Sequence, residues 1–275
     1  MSPQVDPDDA VLIYTERERV AWLTLNRPER RNAINSALAR AITDAMLRAE
    51  HSEDVDVVVL TGSGSAFCAG LDLVELGSSG GNMSPRGTAD GPWTPGGGVW
   101  FPMTKPVIAA VNGVAVTGGL ELVLHCDIVV AAHSARFGDT HARVGVFPGG
   151  GMIPLLQRAI GSRAALAMSL SGNFIDADAA LRLGLAVAVV PDAELIEAAQ
   201  RLARDIASAD QVLVRGVLAA YHQTADIGGL GDALAAEGKA ARLRHSNTDL
   251  GVVAQRRAQI IERGRSQKSG RDNEH

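Results

Sequence analysis

Short apolar runs alternate with stretches of helical periodicity along most of the chain. Apolar residues at 11–14 and 20–25 flank a charged stretch at 15–19 and predict a β-hairpin. Residues 26–31 form a polar, proline-containing connection. Asn35 or Ser36 is placed to cap a helix running to about His51, with Leu38, Ile42, Ala45 and Met46 on one face. Residues 55–60 are a valine-rich run, the pattern of a strand buried on both faces. A Gly/Ser-rich loop is expected over 61–70, and a second glycine-rich loop over 113–118. Further strands are predicted at 107–111, 128–132, 135–137 and 188–190. Helices are predicted at 120–126, 149–160, 163–171 and 177–183, the last closed by Gly184.

From Asp192 onward the pattern is helical, with segments at 193–209, 211–223, 232–244 and 249–264 before a polar tail. Strand-containing units therefore come first and helices last. This order predicts an α/β fold with a core over residues 1–195 and a helical region over 196–275. No repeat of fixed short period is visible. One stretch, 77–98, breaks the composition with Gly, Pro and Ser. A loop of that length inside a compact domain is usually functional or disordered.

Composition narrows the class. Of the 275 residues, 46% are hydrophobic and 21% charged, as in ordinary globular proteins. Aromatic residues are only 4%, so aliphatic side chains must fill the core. The formal charge of -5 and pI of about 5.8 disfavour a general nucleic-acid binder, which usually presents a basic face. A local basic patch for a phosphate-bearing ligand is still compatible with that balance. The two cysteines, Cys68 and Cys126, each sit in an apolar run without metal-ligand spacing, and read as buried free thiols. Residues 1–9 are polar and acidic, unlike a signal peptide. No apolar stretch approaches the roughly 20 residues that span a bilayer. A soluble, cytoplasmic protein without membrane association is expected.

Two segments carry the candidate chemistry. In Phe67-Cys68-Ala69-Gly70-Leu71-Asp72 and in Thr117-Gly118-Gly119-Leu120-Glu121, a buried strand runs into a glycine-containing turn and then a helix. Amides at such turns and helix starts lack intrahelical partners and favour negative charge. Brought together, two of them would form an oxyanion hole. The competing reading is that the glycines merely permit tight turns. Glu121, an acid between Leu120 and Leu122 on an otherwise apolar helix, is the first candidate acid or base; its plain alternative is a solvated carboxylate. Arg27, Arg30 and Arg31 form a basic cluster suited to phosphate, or else a solvated turn. His125, Asp127 and His133 can be drawn as a metal set, but nothing else supports it, and no metal is expected. Thr61-Gly62-Ser63-Gly64 lacks the further glycine of a dinucleotide fingerprint.

The order of four separated motifs adds an independent signal. They are Asn26-Arg27-Pro28-Glu29-Arg30-Arg31-Asn32-Ala33; Phe67 to Leu73; Lys105 to Gly113 leading into Gly118-Gly119-Leu120-Glu121-Leu122 and Cys126-Asp127; and Phe147-Pro148-Gly149-Gly150-Gly151. Together they closely resemble the crotonase, or enoyl-CoA hydratase/isomerase, family over about residues 11–263. The resemblance implies a spiral of ββα units with C-terminal helices that form a trimer, often paired into a hexamer. It implies an acyl-CoA substrate, with coenzyme A arriving as part of that substrate and no separate cofactor. It places the thioester oxygen on the backbone N–H groups of Leu71 and Gly118. It makes Glu121 the carboxylate that deprotonates the attacking water. Arg27, Arg30 and Arg31, with Ala33, Ala69, Gly70, Asp72 and Leu73, would follow the coenzyme A path; Asp72 is alternatively a helix cap. The stretch at 77–98 would be a lid over the acyl chain or a disordered insertion.

One position departs from the family pattern. Hydratases carry a second glutamate where this chain has His141. A protonated imidazole can supply the α-carbon proton in its place. It can equally be a structural group bonded to Asp139 or Asp127. The resemblance implies hydration of a 2-enoyl-CoA. The alternatives are double-bond isomerisation, or other enolate chemistry with Glu121 alone, and a non-catalytic acyl-CoA or RNA binder of the same fold.

Overall fold

The computed structural model describes residues 10–78, 100–225 and 227–245. The predicted helix at 249–264, and all but the first two residues of the stretch at 77–98, lie outside them. Two compact units divide the chain, Met1–Leu218 and Ala219–His275. The fold is mixed α/β, with ten α-helices among the described residues.

The strands are β1 (Leu12–Arg17), β2 (Val20–Leu25), β3 (Val57–Gly62), β4 (Ala66–Cys68), β5 (Val107–Val111), β6 (Val114–Val116), β7 (Ile128–Ala132), β8 (Arg136–Gly138), β9 (Phe174–Asp176) and β10 (Ala188–Val190). They form a six-stranded sheet in the order β1-β2-β3-β5-β7-β10 and a four-stranded sheet in the order β4-β6-β8-β9. The hairpin β1–β2 is antiparallel, and the rest of the larger sheet is parallel. The hairpin turns at Glu18 and Arg19, which both take positive φ, so β1 runs three residues further than the apolar pattern indicates.

The helices of the first half are α1 (Ser36–His51), α2 (Leu73–Ser78), α3 (Gly118–Leu124) and α4 (His141–Val144). Three successive segments, β3-β4-α2, β5-β6-α3 and β7-β8-α4, share one plan. In each, the first strand joins the larger sheet, the second joins the smaller, and a helix follows. The segments at 61–70 and 113–118, expected to be loops, therefore contain β4 and β6. Both are three residues long and sit among glycine and serine turn signals that mask them; their parallel pairing in the smaller sheet defines them. That pairing also brings the two glycine turns side by side.

The remaining helices are α5 (Met152–Ile160), α6 (Ser162–Ser171), α7 (Ala177–Leu183), α8 (Leu195–Ala207), α9 (Gln211–Ala225) and α10 (Leu230–His245). None of the helices described is long and apolar enough to cross a membrane.

The larger sheet is buried on both faces. Val20, Trp22, Val57, Val59, Ile108 and Ala110 pack against Leu195, Ala199 and Ala203 of α8. The alternate residues, Ala21, Leu23, Val58, Leu60, Ala109 and Val111, face the core containing Leu38, Ile42 and Met46 of α1, with Phe67 and Phe137 of the smaller sheet. Each fully buried Leu or Ile contributes about 1.5–3 kcal/mol. Polar ties fix the helices. Asn35 accepts from Leu38 N at the start of α1 (2.8 Å). Buried Lys105 donates Nζ to Ala49 O and Ser52 O at its end, both at 2.7 Å. Trp22 Nε1 donates to buried Gln200 on α8 (2.6 Å).

Candidate active site

The turn after β4 and the turn after β6 pack backbone to backbone. Gly70 has φ +89, and a Cβ there would fall 1.9 Å from Thr117 Oγ1. A Cβ on Gly119 would fall 2.2 Å from Cys68 O. A Cβ on Gly118 would lie 3.7 Å from the carbonyl carbon of Gly70, the atom bonded to Leu71 N. The two expected donors are thus neighbours because glycines let the chains approach.

The bonding around them directs the amides. An isolated parallel bridge joins Ile34 and Leu71 through Ile34 N to Gly70 O (2.7 Å) and Asp72 N to Ile34 O (2.9 Å). The Leu71 N–H takes no part in that bridge. Gly118 is the first residue of α3, and the bond Glu121 N to Thr117 O (2.8 Å) opens the helix beyond it. Its N–H is one of the amides a helix start leaves without an intrahelical partner. Thr117, between the two turns, holds φ 47, a costly region for a β-branched residue. Its N donates to Gly138 O (3.0 Å).

A cavity opens beside these turns. Ala69, Leu71, Leu73 and Leu76 form one wall; Thr117, His141 and Val146 form another. The wall beside Gly118 is made by Thr117. Glu121 lies one helical turn further along α3 and is only 3% exposed. Its Oε1 accepts from Gly150 N. A Cβ on Gly150 would fall 2.3 Å from the other carboxylate oxygen, so any larger residue there would push the Glu121 carboxylate out of its present position.

His141 is buried at the cavity edge. Its Nδ1 bonds Asp139 Oδ1 at 2.6 Å, and its backbone N donates to the same oxygen at 3.2 Å. Burial pushes the Asp139 carboxyl up. Hydrogen bonds from His141 and Ser169 outweigh this and hold it below the usual carboxylate range. An ionised Asp139 only accepts, which assigns the proton to Nδ1. Of the two partners open in the sequence, Asp139 is thus the one bonded; Asp127 instead accepts from Val107 N (2.8 Å).

The arginines divide. Arg27 turns inward, donating Nη1 to Ala33 O and Nη2 to Asp72 (3.0 Å). Asp72 also accepts from Val74 N (3.0 Å) and Glu75 N (3.4 Å), capping α2. Burial raises the Asp72 carboxyl, but the Arg27 and backbone hydrogen bonds together hold it below its ordinary value. Arg30 and Arg31 are exposed. Ala69 N donates to Arg31 O (3.0 Å), joining the basic connection to the first glycine turn. Buried Asn32 braces the same connection: its Oδ1 accepts from Arg27 N (2.9 Å) and its Nδ2 donates to Ser63 O (2.9 Å) and Ala66 O (2.8 Å). Burial pushes the Cys68 thiol up to about 12, which suppresses the thiolate and leaves it a packing residue.

Asn32, Thr117 and Gly150 escape a reading of side-chain chemistry. The run Gly149-Gly150-Gly151 is the one local signal that a backbone approaches something closely.

Comparison with known proteins gives a consistent result. Residues 15–251 match the family described as enoyl-CoA hydratase/isomerase. The chain is 40% identical to a probable enoyl-CoA hydratase, EchA14, of Mycobacterium tuberculosis over 225 residues, covering 81% of this chain and 85% of that one. It is 36% identical to the 2,3-dehydroadipyl-CoA hydratase of Escherichia coli over 216 residues, or 78% and 83% of the two chains. Among solved structures, an enoyl-CoA hydratase from Mycobacterium avium superposes with a TM-score of 0.72 at 42% identity, covering 86% of this chain and 98% of that one.

Proposed function

The chain belongs to the enoyl-CoA hydratase/isomerase family, and on that premise we propose that it adds water across the 2,3 double bond of a 2-enoyl-CoA. The observation that carries the reading is the pairing of the two glycine turns, which brings Gly118 close to the Gly70 carbonyl carbon next to Leu71, with Leu71 and Thr117 lining a cavity beside them. These donors hold the thioester oxygen as the enolate forms, a contribution of several kcal/mol in a site that excludes water. Glu121, held through Gly150, takes a proton from water, whose oxygen bonds to the β-carbon. The imidazolium of His141 releases its Nε2 proton to the α-carbon, and ionised Asp139 stabilises the cation meanwhile. One proton leaves water and one reaches carbon; exchange with solvent resets the pair.

The coenzyme A portion follows Ala69, Gly70 and Leu73, with Arg30 and Arg31 reaching its phosphates. No cofactor beyond substrate coenzyme A is needed. The ββα plan of three segments supports a spiral core, as the family resemblance implies. The same reading places the protein in the cytoplasm as a trimer or pair of trimers. Val212 and Val217 on α9, 77% and 54% exposed in the single chain, support an oligomer surface there.

The test is turnover of a short 2-enoyl-CoA and a 3-enoyl-CoA, followed by absorbance and mass. A mass gain of one water from the 2-enoyl substrate, reduced to a small residual rate in Glu121→Gln with coenzyme A binding retained, is expected. Wild-type hydration by Glu121→Gln would overturn the assignment. Conversion of the 3-enoyl substrate alone, without mass change, would make the protein an isomerase.

A further inference from the structure

Glu121 on α3 and His125, the residue that caps the C-terminus of that helix, stand four residues apart, and both reach residue 150. Glu121 Oε1 accepts the Gly150 N–H, while His125 Nε2 lies 2.8 Å from Gly150 O. A carbonyl oxygen only accepts, so His125 carries its proton on Nε2 and donates it. One glycine is therefore gripped on both sides of its Cα by one helix face. Glycine is the residue with the freest φ and ψ. Pinning its carbonyl restricts one of the two torsions that aim its N–H.

Four further approaches build this arrangement. A Cβ on Gly150 would meet the Glu121 carboxylate at 2.3–2.7 Å, and a Cβ on Gly151 would lie 3.0 Å from His125 Nε2. Gly151 takes φ +91, a turn open to glycine that lets the segment lie on the histidine before α5 begins. Buried Trp100 meets the His125 ring edge-on, with centroids 5.9 Å apart at 62°. At the end of α3, His125 N also bonds Glu121 O (3.2 Å), tying the two residues through the backbone.

We propose that His125 is a positioning residue for the carboxylate of Glu121, acting through the Gly150 peptide. The proposal rests on Glu121 being the catalytic carboxylate. Freed of His125, the Gly150 amide turns, and the carboxylate loses a donor that helps aim its oxygens at the reacting water. The coenzyme A path along Ala69, Gly70 and Leu73 does not involve this contact.

The experiment compares steady-state hydration of a short 2-enoyl-CoA by wild type, His125→Ala, His125→Gln and Glu121→Gln, with thermal melting of each. His125→Ala is expected to lower kcat roughly tenfold to a hundredfold, the scale of small misplacements in a reacting group, with KM nearly unchanged. His125→Gln carries an amide donor at a similar reach and is expected to recover most of that loss. Its melting temperature is expected to stay close to that of His125→Ala, which separates aiming from stability. The residual rate of Glu121→Gln should fall no further when His125→Ala is added. Unchanged kcat in His125→Ala, while Glu121→Gln keeps only a small residual rate, overturns the positioning role alone. Full activity in Glu121→Gln overturns the functional reading on which it rests. A kcat loss in His125→Ala that His125→Gln fails to relieve, moving in step with melting temperature, also overturns the proposal by making the contact a prop of the fold.

Discussion

Asp139 Oδ1 accepts two hydrogen bonds from one residue, the side chain and the backbone N of His141, at 2.6 and 3.2 Å. The pairing orients the ring and places a carboxylate beside the imidazole where the family pattern has a second glutamate. The acid is displaced two residues along the chain, and the histidine stands between it and the cavity.

Asp139→Asn keeps an oxygen for both bonds but removes the charge that supports the imidazolium. Its kcat is expected to fall roughly a hundredfold, the scale of one general-acid group, with KM for the thioester little changed. His141→Ala should fall similarly, and the double variant no further than either single one, because the two act as a unit. Steady-state kinetics of the three variants check this; additive losses would separate the two residues.

The fold is expected to lose stability in acid through Asp139 and Asp72. Both carboxyls titrate below their ordinary value in the folded state. Their contribution is therefore fully present above the unfolded value near ~3.9 and is lost as pH falls through the lower folded values. Denaturant titrations between about pH 6 and 2 should show a decline that is shallower in Asp139→Asn, which lacks one of the two groups.

Two glycine-to-alanine changes on helices should have opposite signs. Gly77 on α2 has nothing within 4 Å of the place a Cβ would occupy, so Gly77→Ala gains helix propensity of about 1 kcal/mol. At Gly119 the methyl would meet Cys68 O at 2.2 Å and Cys68 C at 2.8 Å, both backbone atoms. Gly119→Ala should cost about 1–3 kcal/mol and misplace the Leu71 turn. Thermal melts and kcat of the pair read both effects.

The arginines should separate by role. Arg27→Met breaks the ties to Ala33 O and Asp72, and is expected to lower stability by about 1–3 kcal/mol. Arg30→Ala with Arg31→Ala should leave stability within about 0.5 kcal/mol and raise KM for the coenzyme A thioester, more at low salt than at high salt. Equal KM for wild type and the double variant at low salt would remove these arginines from the coenzyme A path.

Much of the architecture is legible in the chain itself. The valine run of β3, the apolar face of α1 with its Asn35 cap and the glycine at the end of α7 are local patterns; the last two appear where the pattern puts them, and β3 appears two residues further on, at Val57–Gly62. The ordered motifs from Asn26 to Gly151 identify the family, because backbone turns that must approach one another demand glycine at set positions. Tertiary structure decided what no local pattern carries. The strands β4, β6 and β9 are three residues long and exist through their neighbours. One partner of Glu121 lies 29 residues away and is a backbone amide, which has no side-chain signature. Arg27 looks like Arg30 and Arg31 in the sequence; only the approach of Asp72, 45 residues on, turns it inward. Local propensity acts over a turn or a strand, whereas the site is assembled from segments that meet only when the two sheets pack.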